Sequence, residues 1–522
     1  MIRRELSALI LFVGLLPHIA SAGPEPANVT MEYVTRRAEE RSHTPFRSPK
    51  ADLPDFLRAD QLDYDKYREI LFRHDQALWA KDKLAFKVEF YHPGYLYEEP
   101  VHINEFSPSH VQEIRFVQDF FDYGKLKFSK QIPANTGYAG FRVLNPLNQP
   151  EKFDEIGSFI GASYYRLLGR GQRYGASARG LALDCGETNR PEEFPIFTDW
   201  WVGKPFPEDK DLHLFAILDS VSCTGAYEFH IRPGETTVAQ VEAIIFRREA
   251  DKARAGNPQH QPAALFGFAP LTSMFWFTEG SERKFDDYRP AVHDSDGLLI
   301  NAENGELSWH PLVNGPVMRH QRIPTHNIHG FGLLQRERDI ANYQDLFNSY
   351  QLTPSIWVEP MGQWGDGVVH LVELSTQSEG LDNIVAFFEP KAQPEPLKGF
   401  HFSYILYWTT ETDKKISENK VLGTHMGADP RNPRARQIAI DFGGPKLSGL
   451  PAGVVPQAVV NCSTNATLSD QQIFPGLFGG TWRVVLKMEP REGNKEPVGL
   501  ECKLKKGEET LSETWTYYWS PP

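Results

Sequence analysis

Two aspartates are the starting point for chemistry in this chain. Asp294 lies in the turn His293-Asp294-Ser295-Asp296 of YRPAVHDSDGLLI, and Asp382 lies in the otherwise apolar run LDNIVAFF. Between them fall Trp309, Trp357, Trp364, Tyr343, Tyr350, Arg336 and Arg338. Paired carboxylates among aromatic rings suit cleavage of a glycosidic bond: one carboxylic acid protonates the leaving oxygen and the other, ionised, activates water. Aromatic faces offer sugar rings a broad, rigid apolar surface. The chain holds 68 acidic residues, so spacing alone leaves this pair as one among many solvated loop carboxylates.

The neighbours sort the pair into roles. Asp296 is two residues from Asp294, and a like charge there raises the pKa of Asp294, fitting it as the acid. Asp296 has a second reading as a turn residue that bonds the backbone. Asp382 stands beside Asn383 with no adjacent cation, which suits an ionised base. Glu379, three residues upstream, is either a proton relay or a solvated loop charge. Tyr350 is a candidate to orient a hydroxyl or water, and Arg338 to hold a glucose hydroxyl or a carboxylate; packing or ion pairing is the plain alternative for each. Trp309, Trp357 and Trp364 are candidate sugar platforms or core residues, and His293 is a supporting hydrogen bonder. No CxxC or HExxH spacing occurs, and His326 and His329 lack a third ligand, so neither metal nor cofactor is expected.

The elements that must place these residues are mostly strands. At 522 residues the chain exceeds one core and calls for at least two domains. Charged residues at 24% and hydrophobic ones at 40% describe an ordinary globular protein. A net charge of −13 with no basic run argues against a nucleic-acid partner. Arg3 and Arg4, the apolar Leu6 to Leu16 and Ala20-Ser21-Ala22 read as an export signal over 1–22. Four cysteines then fit an oxidising compartment, with Cys185–Cys223 and Cys462–Cys502 the preferred pairing. Residues 24–54 read as an irregular lead-in and 64–79 as an amphipathic helix. Period-two alternation begins near Leu84 and recurs over 212–218 and 236–247. The Pro-rich stretch 391–398 reads as a linker, followed by a strand at 400–408 and others at 437–441, 482–488 and 514–519. The expected organisation is mainly β: a large sandwich over 23–390, a linker over 391–398, and an immunoglobulin-like sandwich over 399–522.

Longer blocks carry a resemblance. They are LDYDKYREILFRHDQALW (62–79), YGASARGLALD (174–184), FGFAPLTSMFWFTEG (266–280), YRPAVHDSDGLLI (288–300), GFGLLQRERDIANYQDL (330–346), PSIWVEP (354–360) and LDNIVAFFEP (381–390). Together they resemble the periplasmic glucan biosynthesis protein G/D family (MdoG/OpgG type) over essentially the whole mature length. The resemblance implies export to the periplasm and a galactose-mutarotase-like sandwich ahead of the immunoglobulin-like one. It also implies work on a β-glucan polysaccharide as an anomer-inverting endo-β-1,2-glucanase, with Asp294 and Asp382 as the catalytic pair, about 6.5–9.5 Å apart with room for water. The other reading is a non-catalytic glucan-binding factor that assists a membrane glucan synthase. Nothing in the sequence specifies an oligomeric state.

Overall fold

Alternation of apolar side chains builds two large sheets that face each other. The computed structural model describes residues 28–521, apart from 129, 256–260 and 411–415. The expected export signal at 1–22 lies outside the described residues. Among the described residues, ten strands form one sheet and fifteen the other. Their facing sides share one core: Phe141 and Phe159 of the smaller sheet meet Trp200 of the larger with ring centroids 5.2 and 5.1 Å apart, and Phe268 meets Phe402 at 4.4 Å. Large rings on facing strands fill the space between two sheets with few residues. The protein is mainly β, a sandwich as expected.

The strand Phe400–Thr409, expected to open the C-terminal sandwich, is instead central to the larger sheet. It pairs antiparallel with Thr237–Arg247 on one side and with Ser355–Pro360 on the other. Its alternation explains the placement: Phe402, Tyr404, Leu406 and Trp408 are buried in the main core. The preceding stretch is likewise tied to the sheet, with Pro396 bridging to Arg247. The remaining C-terminal strands divide. Val498–Lys506, Thr514–Trp519 and Gln457–Cys462 extend the larger sheet beyond Leu307–Pro311, through a parallel pairing of Trp309 with Trp515. Lys420–Asp429, Asn432–Gly443, Trp482–Pro490 and Ala466–Pro475 form a separate four-stranded sheet. This sheet packs Ile438, Ile440, Val484 and Leu486 against Leu299, Trp309, Leu334 and Trp357 on the outer side of the larger sheet.

Three further expectations give way to local physics. The lead-in contains a helix, Met31–Ser42, capped by Thr30 with Glu32 in its first turn and Arg41 in its last. Only Val34 and Ala38 supply its buried apolar stripe, against Phe215, Ile217 and Ala226, and so little periodicity escapes a sequence reading. The expected 64–79 helix stops after Tyr64–Tyr67. Leu71–Phe72 then pairs with Phe121–Asp122, and Trp79 takes a φ of 65° while its indole donates to Glu105 at 2.6 Å. All four cysteines are free thiols. Cys502 opposes Val460 while Cys462 opposes Leu500, so the two are diagonal neighbours roughly 7–8 Å apart, outside ordinary disulfide reach. Cys185 and Cys223 sit in different apolar clusters.

One buried ion pair joins the C-terminal part to the loop that follows the strand Gly330–Leu334. Arg336 donates to both Glu513 oxygens, at 2.9 and 2.7 Å, and to Val421 O at 2.9 Å. Its guanidinium lies 3.6 Å above the Trp309 ring. The two side chains are 8% and 0% exposed, so losing one partner strands a charge without water. Glu513→Ala is expected to cost about 3–5 kcal/mol, read as an earlier midpoint in urea unfolding. An unchanged midpoint contradicts the bond's structural role.

Candidate active site

Both aspartates are fixed to one short stretch of backbone. The strand Phe266–Ser273 pairs Ser273 with Ile384, at the start of the strand Ile384–Pro390 that follows Asp382. Phe275 N donates to the Asn383 side chain at 2.9 Å, and Asn383 in turn donates to Leu374 O at 2.9 Å. The same segment holds the other carboxyl: Asp294 N donates to Met274 O at 2.8 Å, and Phe275 pairs with His293. Ser273 Oγ donates to Ser295 Oγ at 2.8 Å. Three consecutive residues therefore bring together two aspartates that are far apart in sequence.

The two carboxyls meet different surroundings. Asp294 is buried, and Asp382 adds its negative charge nearby; together they push the Asp294 carboxyl up to about 8, with Arg166 pulling the other way and Glu379 adding to the rise. Gly175 lies against it: a Cβ there would come within 3.1 Å of Asp294 Oδ1 and 2.7 Å of Thr353 Cβ. Glycine in YGASARG thus lets the backbone pack directly against the acid and Thr353. Asp382 is about a third exposed and accepts from Arg166 Nη2 at 3.0 Å. Arg166 is held in turn by Nε donating to Ser177 Oγ at 2.6 Å. One carboxyl is poised to hold a proton near neutral pH, and the other is matched to a cation.

A polar network frames the pair. Gln335, fully buried, donates to His293 O at 3.0 Å, Tyr343 Oη at 2.8 Å and Tyr350 O at 3.2 Å, while its carbonyl meets His293 Nδ1 at 3.0 Å. Tyr350 Oη donates to Glu379 Oε2 at 2.7 Å. Arg289 donates to that same oxygen and to Asp345 Oδ2, both at 2.8 Å. Burial, then the Glu379 hydrogen bond and charge, and Asp294 too, push the Tyr350 phenol well above its usual range. Tyr350 is a hydrogen-bond donor at any working pH. Tyr97 and Tyr164 line a neighbouring pocket of about 150 Å³. Burial raises both phenols first; Arg166 draws Tyr97 back, and Asp382 is among the charges that raise Tyr164 further. The pocket therefore adjoins the Arg166–Asp382 end of the site.

The other sequence candidates fall in several places. Glu379 is part of the Arg289 network rather than a loose loop charge. Asp296 does not account for the raised Asp294; its Oδ2 accepts from the backbone N–H groups of Arg336 and Glu337, which is the turn role. Arg338 donates to the carbonyls of Gln351 and Thr353, bracing the turn beneath Tyr350. Trp309 and Trp357 are 4% and 3% exposed and pack in the second core. Trp364 packs on Phe388 and Phe402 and donates to Ser403 O, apart from the carboxyls. Sequence reasoning missed Arg166, Arg289 and Gln335. Arg166 stands in YYRLL as an ordinary polar position of a strand, and Gln335 carries no charge to notice.

Asp294 lets the acid's environment be read from stability. The unfolded carboxyl loses its proton near pH 3.9, whereas the folded one keeps it to about 8, so the native state binds more protons between these values and stability declines as pH rises through them. Asn cannot ionise. Asp294→Asn is expected to match wild type near pH 4 and to gain up to about 3–5 kcal/mol by pH 8, in urea unfolding at each pH. A constant difference across the range contradicts the raised pKa.

The chain matches the family model described as "Periplasmic glucan biosynthesis protein, MdoG" over residues 29–519. It is 40% identical over 519 residues to the glucans biosynthesis protein G of Ralstonia nicotianae, covering 98% of this chain and 99% of the relative. The protein of that name from Serratia proteamaculans is 38% identical over 526 residues, covering 98% and 96%. That of Pseudomonas putida (strain W619) is 38% identical over 510 residues, covering 95% and 84%. With the match running from the first helix to the last strand, the chain belongs to the MdoG family of periplasmic glucan biosynthesis proteins.

Proposed function

We propose that this protein acts in the periplasm as an anomer-inverting endo-β-1,2-glucanase on the backbone of a glucan under synthesis. The observation that carries the reading is the opposed state of two neighbouring carboxyls: Asp294 buried and raised to about 8, Asp382 partly exposed and paired with Arg166. Asp294 is the proton donor to the leaving oxygen. Asp382 is the base that draws a proton from the attacking water, with Arg166 holding its orientation. Tyr350 and Glu379, tied to Arg289, position hydroxyls or water beside the acid. Family membership and the names of the relatives support a role in glucan biosynthesis. Among the described residues, no helix is long and apolar enough to cross a membrane.

Incubation with linear β-1,2-glucan tests the reading. Wild type is expected to shorten the chains and to release product of inverted anomeric configuration by proton NMR. Asp294→Asn and Asp382→Asn are each expected to lose about 10²–10⁴-fold in kcat. Azide restores turnover, as a glycosyl azide, only in the variant lacking the base; a substrate with an activated leaving group helps only the one lacking the acid. Reversed rescues exchange the two roles. Glucan of unchanged length with wild type leaves the binding-factor reading instead.

The pH profile gives a second handle. Because Asp294 must enter protonated, kcat/KM is expected to fall above about pH 8. Arg166 draws the Asp294 carboxyl down, so Arg166→Gln moves that limb to higher pH while lowering the maximum. A limb that stays in place separates Asp294 from the pH dependence.

A further inference from the structure

A second cluster of chemistry-bearing side chains stands on the outer face of the larger sheet and shares no residue with the carboxylate site. His213, on the strand Leu212–Asp219, is directly opposite His230, on the strand Cys223–Arg232. Glu228 is two residues from His230 and faces the same way. Both imidazoles reach one atom: His213 Nε2 lies 2.7 Å and His230 Nε2 3.2 Å from Glu228 Oε1. On the next strand, Thr237–Arg247, Glu242 is directly opposite Glu228. His213 and Glu228 are half-buried and His230 is exposed, so the cluster is open to solvent. Phe106 closes one flank with its ring edge on to His213 at 5.6 Å.

We propose that His213, His230 and Glu228 form a binding site for one late first-row divalent cation, Zn²⁺ or Cu²⁺, with Glu242 as a further carboxylate facing it. Ligands about 2.1 Å from a common tetrahedral centre stand about 3.4 Å from one another. The three ligand atoms here already lie within 4.8 Å of one another, so small side-chain rotations suffice. Two imidazoles with one or two carboxylates match the preference of zinc and copper over magnesium or calcium.

Electrostatics favours this over a plain ion-pair cluster. The two imidazole rings are stacked, with centroids 4.2 Å apart and an interplanar angle of 16°, so protonating both sets two cations face to face. Glu228 and Glu242 are like charges directly across a strand pair, an arrangement that costs stability without a cation between them. A divalent ion resolves both conflicts with neutral rings. Metal-site spacings along the sequence do not reveal the set, because His213 and Glu228 are 15 residues apart on two strands.

Tag-free full-length protein titrated with ZnCl₂ by calorimetry at pH 7.5, with bound metal measured after dialysis, tests the site. Wild type is expected to bind one equivalent with a Kd of about 1 μM or tighter and to gain thermal stability on binding. The His213→Gln/His230→Asn double variant is expected to lose that equivalent and the gain, and Glu228→Gln to weaken binding by about 10-fold or more. Glucan-directed activity and the metal-free unfolding temperature are expected to stay as in wild type, which separates loss of the site from loss of the fold and from the proposed hydrolysis. Absence of bound zinc in wild type, or an equivalent retained by the double variant, overturns the assignment.

Discussion

Everything about the candidate site depends on keeping the Asp294 carboxyl away from water while a second carboxylate stands close by. Burial of a carboxyl costs free energy unless it stays protonated, and the nearby charge of Asp382 deepens that preference. A site of this kind persists only where the surrounding fold is rigid enough to forbid the relaxations that would hydrate it. The main-chain anchors meet that need. Asp294 is held at its N–H by Met274 and at its carbonyl by Thr353, whose hydroxyl donates at 3.3 Å, so the backbone that carries the carboxyl is fixed on both sides.

The cations are placed so that they do not undo this. Arg166 pairs with Asp382, and its effect on Asp294 is smaller than those of burial and Asp382. Arg289 is spent on Asp287, Asp345 and Glu379. Glu379, in contact with Tyr350, therefore brings hydrogen-bonding capacity near the acid with a cation already attached. Gln335 does the corresponding work on the other side without adding charge, fixing His293, Tyr343 and Tyr350 at once. A charged residue at that position would have moved the acid's pKa; an amide does not.

Sequence reasoning went as far as periodicity and recognisable blocks reach. The strands over 212–218, 237–247, 437–441 and 482–488 were legible because alternation is local. That 400–409 belongs to the larger sheet was not: a strand looks the same whichever sheet it joins, and partner choice is set by residues as distant in sequence as Thr237, which opposes Trp408. The carboxyls Asp294 and Asp382 stood out, but the cause assigned to the raised pKa did not hold, because Asp296 is next to Asp294 in sequence and turned toward backbone N–H groups in space. Trp309 and Trp357 misled for a related reason. Composition counts a Trp as a sugar platform and a core filler alike, and only the second sheet packed over them decides between the two.

The C-terminal segments bear on the site as well as on stability. Arg336 binds Glu513 with its side chain while its backbone N–H and that of Glu337 bind Asp296. Asp296 N in turn donates to Leu334 O, and Gln335 lies between the two anchors. The C-terminal strands thus clamp the loop that carries Gln335, and through it the turn bearing Asp294. Asp382 meets that loop only through the Ser273–Phe275 backbone it shares with Asp294, by Asn383 on Phe275. Motion in the clamped loop would therefore act on the acid more directly than on the base, altering their separation. Inversion tolerates only a separation that admits one water, about 6.5–9.5 Å, so a buried ion pair on the far side of the Asp296 turn is a physical requirement of the chemistry proposed.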